Sequence, residues 1–228
     1  MYTLYIANKN YSSWSLRPWV LMRELNIPFR EELRPFADGS NWNAFRTFSP
    51  SGKVPCLVDD KVAVWDSLAI VEYLAERHPN VWPQSSVARA WARSAAAEMH
   101  SGFGVLRDRC TMNCGLRVRL RDIPATLTKD VERIDELWSE GLQRFGGPFL
   151  AGSAFTAVDA FFAPVAFRVQ TYNLKLSEPS KAYVNRLLKL PSMQSWYEDA
   201  LVEPWREVDH EEEVRQTGEV EQDFRVRL

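Results

Sequence analysis

Residues 49–74, SPSGKVPCLVDDKVAVWDSLAIVEYL, constrain the fold more than any other stretch of this chain. They open with a turn, Ser49-Pro50-Ser51-Gly52, and continue into a short apolar run, Val54-Pro55-Cys56-Leu57-Val58. Asp59-Asp60 reverses the chain, and Lys61-Val62-Ala63-Val64-Trp65 runs back, so the two runs read as a β-hairpin. Asp66-Ser67 then precedes Leu68, Ala69, Ile70, Val71, Tyr73 and Leu74, in the position of a helix N-cap. The first N–H groups of such a helix are unpaired and partly positive, which suits a carboxylate ligand. Pro55 cannot donate to a strand ladder. A cis Val54–Pro55 bond would explain it, by turning the N–H and C=O of Val54 outward to pair with a bound peptide; a trans proline at a strand edge is the plainer alternative.

The residues before this stretch alternate in type. Residues 3–7 read as a strand and residues 8–13 as a polar loop. A helix is predicted over residues 15–25, with Leu16, Trp19, Val20 and Met22 on its apolar face. Pro18 fits only within a first turn, which sets the expected start at residues 15–17. Asn26-Ile27-Pro28 ends it, and residues 29–33 read as a second strand, completing a βαβ unit with parallel strands. With a short helix over residues 42–48, the order becomes β-α-β-α-β-β-α.

Residues 78–85, HPNVWPQS, carry two prolines and no periodicity, and mark a linker between a first domain at 1–78 and a second at 86–205. The second reads as all-helical. One long helix is predicted over 87–109, with Trp91, Ala95, Met99, Phe103 and Leu106 on one face. Others are predicted at 126–145, stopped by Gly146-Gly147-Pro148, and at 156–172, 179–188 and 192–201. Thr156 followed by Asp159 forms a capping box, a folding device that carries no chemistry of its own. Residues 206–228 form a highly charged tail, expected to be loose or packed only through Phe224.

A net charge of −2 argues against nucleic acid or an acidic membrane as main partner. No apolar run is long enough for a membrane span. The N-terminal residues carry neither a basic region nor a signal core, so the expected location is the cytoplasm. Cys56, Cys110 and Cys114 are odd in number and lack a Cys-x-x-Cys, which fits free thiols and argues against a disulfide framework or structural zinc. Cys110 and Cys114 are four apart, so they are expected to face one another on a helix. Nine Trp suggest packed aromatic surface, some of it lining an apolar cleft.

Lys53-Val54-Pro55, Asp66-Ser67-Leu68-Ala69-Ile70 and Tyr73-Leu74 resemble the glutathione-binding half of the glutathione S-transferase family. Thr156-Ala157-Val158-Asp159 resembles the box that the family carries in its helical domain, so the likeness extends over residues 1–205. The resemblance implies an α/β thioredoxin-like N-terminal domain followed by an all-α C-terminal domain. It implies glutathione as co-substrate, no metal, a small electrophile as second substrate, a homodimer and a role in detoxification. It also implies that the Val54 backbone pairs with the cysteinyl part of glutathione, beside Pro55, and that Asp66 and Ser67 hold its γ-glutamyl amino and carboxylate groups. Lys53 either meets the glycyl carboxylate or is a solvated turn lysine.

Such an enzyme must form a thiolate at neutral pH, where a free thiol is mostly protonated. A hydroxyl aimed at the sulfur favours the anion, as does the start of the first helix. Residues 12–17, Ser12-Ser13-Trp14-Ser15-Leu16-Arg17, resemble the Ser-Ser-Cys-Ser-x-Arg pattern of the zeta class, which includes maleylacetoacetate isomerases. The pattern carries the thiolate stabiliser to Ser12, with Ser13 as support and Tyr11 as the next donor. Trp14 stands where the pattern has Cys, and Pro18 interrupts the following Val-Arg, so the match stops short of zeta-type isomerase specificity. The loop has no Cys, which disfavours thiol-transfer chemistry. The electrophile pocket is expected beside helix 87–109, near His100, Phe103, Gly104 and Arg107. Arg107, Arg109, Arg117, Arg119 and Arg121 read as a solvated basic face before an anion site. A glutathione-binding or protein-interaction module without turnover is the alternative.

Overall fold

The computed structural model describes residues 1–37 and 39–226. Strand β1 (Tyr2–Ile6) is an inner strand of a four-stranded sheet ordered β2-β1-β3-β4. It pairs in parallel with β2 (Phe29–Leu33), Tyr2 opposite Phe29 and Ile6 opposite Leu33, with helix α1 (Ser13–Glu24) as the crossover. After the short helix α2 (Trp42–Phe45), β3 (Cys56–Asp59) runs antiparallel to β1, and β4 (Val62–Trp65) forms the outer edge of the hairpin. Helix α3 (Ser67–Ala75) closes the unit, in the element order read from the sequence. The Val54–Pro55 bond is cis.

The α1 boundary differs from expectation. The helix starts at Ser13, so Pro18 lies in its interior and the carbonyl of Trp14, four residues back, loses its helical donor. The missing bond is tolerated because residues 15–22 of α1 are buried, and packing outweighs local propensity.

The second half is helical except for one small sheet. The helix expected over 87–109 is two: α4 (Ser86–Ser101) and α5 (Gly104–Arg109). Phe103 adopts a left-handed conformation at φ 57°, which breaks the periodic run. The Arg107 guanidinium then donates to the orphan carbonyls of Met99, His100 and Gly102, and so caps α4. Strand β5 (Leu116–Leu120) precedes α6 (Ala125–Phe145), α7 (Ala157–Tyr172), α8 (Glu178–Leu188) and α9 (Pro191–Val202). Cys110 and Cys114 do not share a helix; they follow α5, at its C-cap and in the turn before β5.

The charged tail is ordered rather than loose. It forms α10 (Val208–Thr217) and β6 (Gly218–Asp223), and β6 pairs antiparallel with β5. Arg119 on β5 pairs with Glu219 and with Glu221 at 3.3 Å, while the Arg121 guanidinium donates to the Gln216 carbonyl at 3.1 Å. Of the basic cluster, Arg119 and Arg121 meet the tail while staying exposed to solvent, Arg107 caps α4 and Arg109 pairs with Asp122. Residues 227 and 228 of that segment lie outside the described residues.

One apolar core spans both halves. Trp19 of α1 meets Trp196 of α9 edge-on at 5.0 Å, and α1 packs on α7. The α7 cap is buried: Asp159 accepts from the N–H of Thr156 (2.9 Å), the N–H of Leu150 (3.0 Å) and the hydroxyl of Tyr183 (2.9 Å).

Candidate active site

Two adjoining cavities meet at the N-terminal end of α1. A cleft of about 390 Å³ is lined by Tyr11 and Ser12 from the β1–α1 loop, by Ser13 at the start of α1, and by residues of α5, α7 and α10. A recess of about 430 Å³ is lined by Pro55, Trp65, Asp66 and Ser67. Trp14, Lys53 and Val54 line both.

The recess is built by backbone geometry. Gly52 at φ 63° lets the turn approach Trp42, where a Cβ would lie 2.5 Å from the indole ring. Val54 then precedes β3, and among the described residues its N–H and C=O enter no ladder or turn hydrogen bond. Asp66 is held at φ 74°, a costly conformation for a residue with a side chain. Its Oδ1 accepts from the N–H groups of Leu68 (2.8 Å) and Ala69 (3.3 Å), and its Oδ2 lies 3.4 Å from Nε2 of His100.

Arg17 lies behind this cap. It is 1% exposed, with its guanidinium 4.0 Å from the Trp14 ring centroid and Nη1 3.5 Å from the Ser67 hydroxyl. Its Nε has no partner, and no carboxylate makes an ion pair with it among the described residues. Burial, then the charges of Arg107 and Arg168, push its pKa well below the ordinary arginine range. An arginine does not surrender its proton in a protein, so the direction marks a buried charge short of a counter-ion.

In the cleft the serines differ. Ser12 is the N-cap residue of α1 and donates its hydroxyl to that of Ser15 at 2.7 Å, which also accepts from the N–H of Ala7 at 3.3 Å. Ser13 is the first helical residue, with the Arg168 guanidinium at 3.5 Å from its hydroxyl. Tyr11 is 3% exposed and donates its hydroxyl to Glu211 at 2.7 Å. Burial, then the Glu211 charge, raise its pKa, so the phenol is committed to α10 and does not face the cleft as a free donor.

Of the residues expected in the electrophile pocket, Arg107 lines the cleft, although its guanidinium also caps α4. His100 faces Asp66 and the edge of Trp14, and burial lowers its pKa. Phe103 packs in the core. Neither lines the cleft: His100 stands in the last turn of α4 on the Asp66 side, and Phe103 turns inward at the break between α4 and α5. The cleft wall on that side is formed by Arg107 with Arg168 of α7 and His210 and Glu213 of α10. Arg168, 4% exposed, is a charge inside an otherwise apolar helix, a signal that was present in the sequence. His210 and Glu213 carried none, since they belong to a segment that reads as solvated.

All three cysteines are buried and unpaired. Burial pushes the Cys56 thiol up to about 11 and the Cys110 thiol up to about 12, so neither supplies a thiolate at neutral pH. Among the described residues no cluster of His, Cys, Asp and Glu could hold a metal ion, and no helix is long and apolar enough to cross a membrane.

Residues 11–77 match the family model described as the N-terminal domain of glutathione S-transferase, and residues 89–199 match that of the C-terminal domain. Maleylacetoacetate isomerase of Rattus norvegicus is 26% identical, the match covering 93% of this chain and 96% of that protein. A glutathione S-transferase-like protein of Beauveria bassiana is 28% identical, covering 71% of this chain and 76% of that one. Among solved structures, a theta class glutathione S-transferase from Xanthomonas axonopodis pv. citri with glutathione bound aligns with a TM-score of 0.64 at 25% identity. That alignment covers 86% of this chain and 96% of the other.

Proposed function

Because the chain belongs to the glutathione S-transferase family, its two family domains together spanning most of residues 11–199, we propose that it is a glutathione transferase of the serine type. Glutathione is its co-substrate. The tripeptide lies in the recess, its cysteinyl backbone paired with Val54 beside Pro55, its γ-glutamyl amine at Asp66, its γ-glutamyl carboxylate between Ser67, the α3 N-terminus and Arg17, and its glycyl end toward Lys53. The sulfur then crosses the shared wall at Trp14 and Val54 and meets Ser12 and Ser13, where an electrophile in the cleft receives it. The carrying observation is that wall: the recess suited to a peptide and the cleft with two serines have Trp14, Lys53 and Val54 in common.

Ser12 is assigned as the donor to the thiolate. In the free protein the Ser12 hydroxyl donates to Ser15; with a sulfur in reach it turns its proton to the cleft, a rotation that a hydroxyl makes freely, and accepts from Ser15 in exchange. Ser13 at the first turn adds the helix field. Conjugation of a generic aryl halide tests the assignment. Ser12→Ala is expected to cut turnover by about a hundredfold, within the range of a lost anion-stabilising donor, with retention on glutathione-agarose preserved. Unchanged turnover would transfer the role to Ser13. Retention of the unmodified protein without turnover on any electrophile would identify a binding module instead.

The same reading places the chain in the cytoplasm and in a homodimer. The outer edge of β4 exposes Val62 (48%) and Trp65 (46%), beside a groove lined by Ala63, Val64, Leu68 and Ala69. Such an apolar edge suits a second copy. Light scattering that finds a monomer at micromolar concentration would refute the dimer.

A further inference from the structure

Among the charged and titratable groups of the cleft, which include Arg107, Arg168 and Glu213, His210 is the imidazole, and the transferase reading does not use it. His210 stands on α10 and lines the cleft with Ser12 and Ser13. Its Nδ1 lies 2.6 Å from Oε2 of Glu207, and the same oxygen accepts the His210 backbone N–H at 2.7 Å. Glu207 is thereby fixed as the α10 cap, and it fixes the imidazole in turn. Two aromatic rings lie against the imidazole as well: Tyr11 at 5.0 Å, and Phe36 stacked at 5.7 Å with an interplanar angle of 19°. Both of those rings line the cleft. With Nδ1 on a carboxylate, Nε2 is the nitrogen that no protein group bonds among the described residues.

A histidine held in this way has the parts of a proton-transfer group. The carboxylate orients the ring, and the other nitrogen is left for a reacting partner. A solvated surface histidine needs no such pinning. A helix-capping role accounts for the backbone N–H of His210, but not for the contact of its ring with two cleft aromatics.

We propose that His210 is a catalytic residue of the cleft, a proton donor through Nε2 to electrophiles that become anionic when a thiolate adds to them. This rests on the transferase reading. The substrate class is the α,β-unsaturated carbonyl. The glutathione sulfur forms a bond to the β-carbon, and the alkene π pair moves to make an enolate. The Nε2–H bond breaks as the enolate takes the proton, and the imidazole recovers a proton from water. The thiol proton has already left to water when the thiolate formed, so the sum is glutathione plus enone giving the neutral adduct. Aryl halides differ: sulfur attacks the ring carbon, halide leaves with its bonding pair, and no proton is taken up by the product.

The two reactions separate the chemistry of His210 from its bulk. His210→Phe keeps the stack with Tyr11 and Phe36 and removes the proton. For this variant, turnover of an α,β-unsaturated ketone is expected to fall at least tenfold more than turnover of a dinitrophenyl chloride, given the hundredfold or larger effects typical of general acids. Glu207→Gln, which keeps the geometry but removes the charge, is expected to lower the same ratio by a smaller factor. Equal losses on both electrophiles, or none on the ketone, would overturn the proposal and leave His210 as a wall. If Ser12→Ala still impairs both reactions in that case, the transferase reading survives. A wild-type protein inert toward both electrophiles would remove both readings.

Discussion

Removal of the Asp159 carboxylate sets two large effects against each other. In Asp159→Ala three close buried donors lose their acceptor, the N–H of Leu150, the N–H of Thr156 and the hydroxyl of Tyr183, and the Thr156 hydroxyl loses a longer contact at 3.4 Å. At about 1–3 kcal/mol for each orphaned group, the loss is about 3–9 kcal/mol. Burial opposes it, because the carboxyl is pushed up from 3.8 to about 6, so its ionised form is disfavoured in the folded chain by about 3 kcal/mol at neutral pH. That relief offsets part of the loss. The net expectation is destabilisation of about 3 kcal/mol, with the hydrogen bonds winning. Urea unfolding at neutral pH with an unchanged m-value would report it as a lower midpoint. The pH dependence supplies a second readout. Because the folded pKa is raised, the folded chain keeps a proton where the unfolded chain has lost it. The associated stability is fully present below about pH 4 and is lost as pH rises through about 6. Asp159→Asn should flatten that part of the curve. An Asp159→Ala protein as stable as the parent at neutral pH would refute the reasoning, since burial of the charge would then outweigh the three bonds.

Arg17→Met is expected to stabilise the free protein by about 1–3 kcal/mol, because it removes a buried charge without a counter-ion, while weakening retention on glutathione-agarose; thermal unfolding and column elution read the two effects. Tyr11→Phe should lower turnover far less than Ser12→Ala and cost about 1 kcal/mol of stability, the value of a bond to Glu211. Burial pushes the Glu203 carboxyl up to about 7 although it accepts from the N–H groups of Lys9 (2.6 Å) and Asn10 (3.2 Å). Its raised pKa gives stability that is complete below about pH 4.5 and declines as pH rises through about 7, so the thermal midpoint of Glu203→Gln should vary less over that window.

The N-terminal unit was legible because its signals are local. A proline at a strand start, an Asp–Asp reversal and an Asp-Ser cap each act within a few residues, and together they set the recess from Val54 to Ser67. The serines at the α1 N-terminus were legible for the same reason, since a helix start and its hydroxyls are neighbours in the chain. The α7 capping box also spans only one turn, although its partners Leu150 and Tyr183 are set by packing.

The other wall of the cleft depends on distance along the chain. The run from 87 to 109 does carry a local break signal, Gly102 and Gly104 on either side of Phe103, which its apolar periodicity masks; how the Arg107 guanidinium then caps the freed carbonyls is set by the fold. The tail reads as solvated because its alternation of charges has no apolar face, yet Glu219 and Glu221 find Arg119 a hundred residues away on β5. That pairing brings α10 over the β1–α1 loop, where Glu211 takes the Tyr11 hydroxyl and His210 enters the cleft. Sequence alone thus determined the recess proposed for the shared peptide, which is built from local backbone and caps. Tertiary structure decided the far wall of the adjoining cleft, because charge complementarity between distant segments is invisible until the chain has folded.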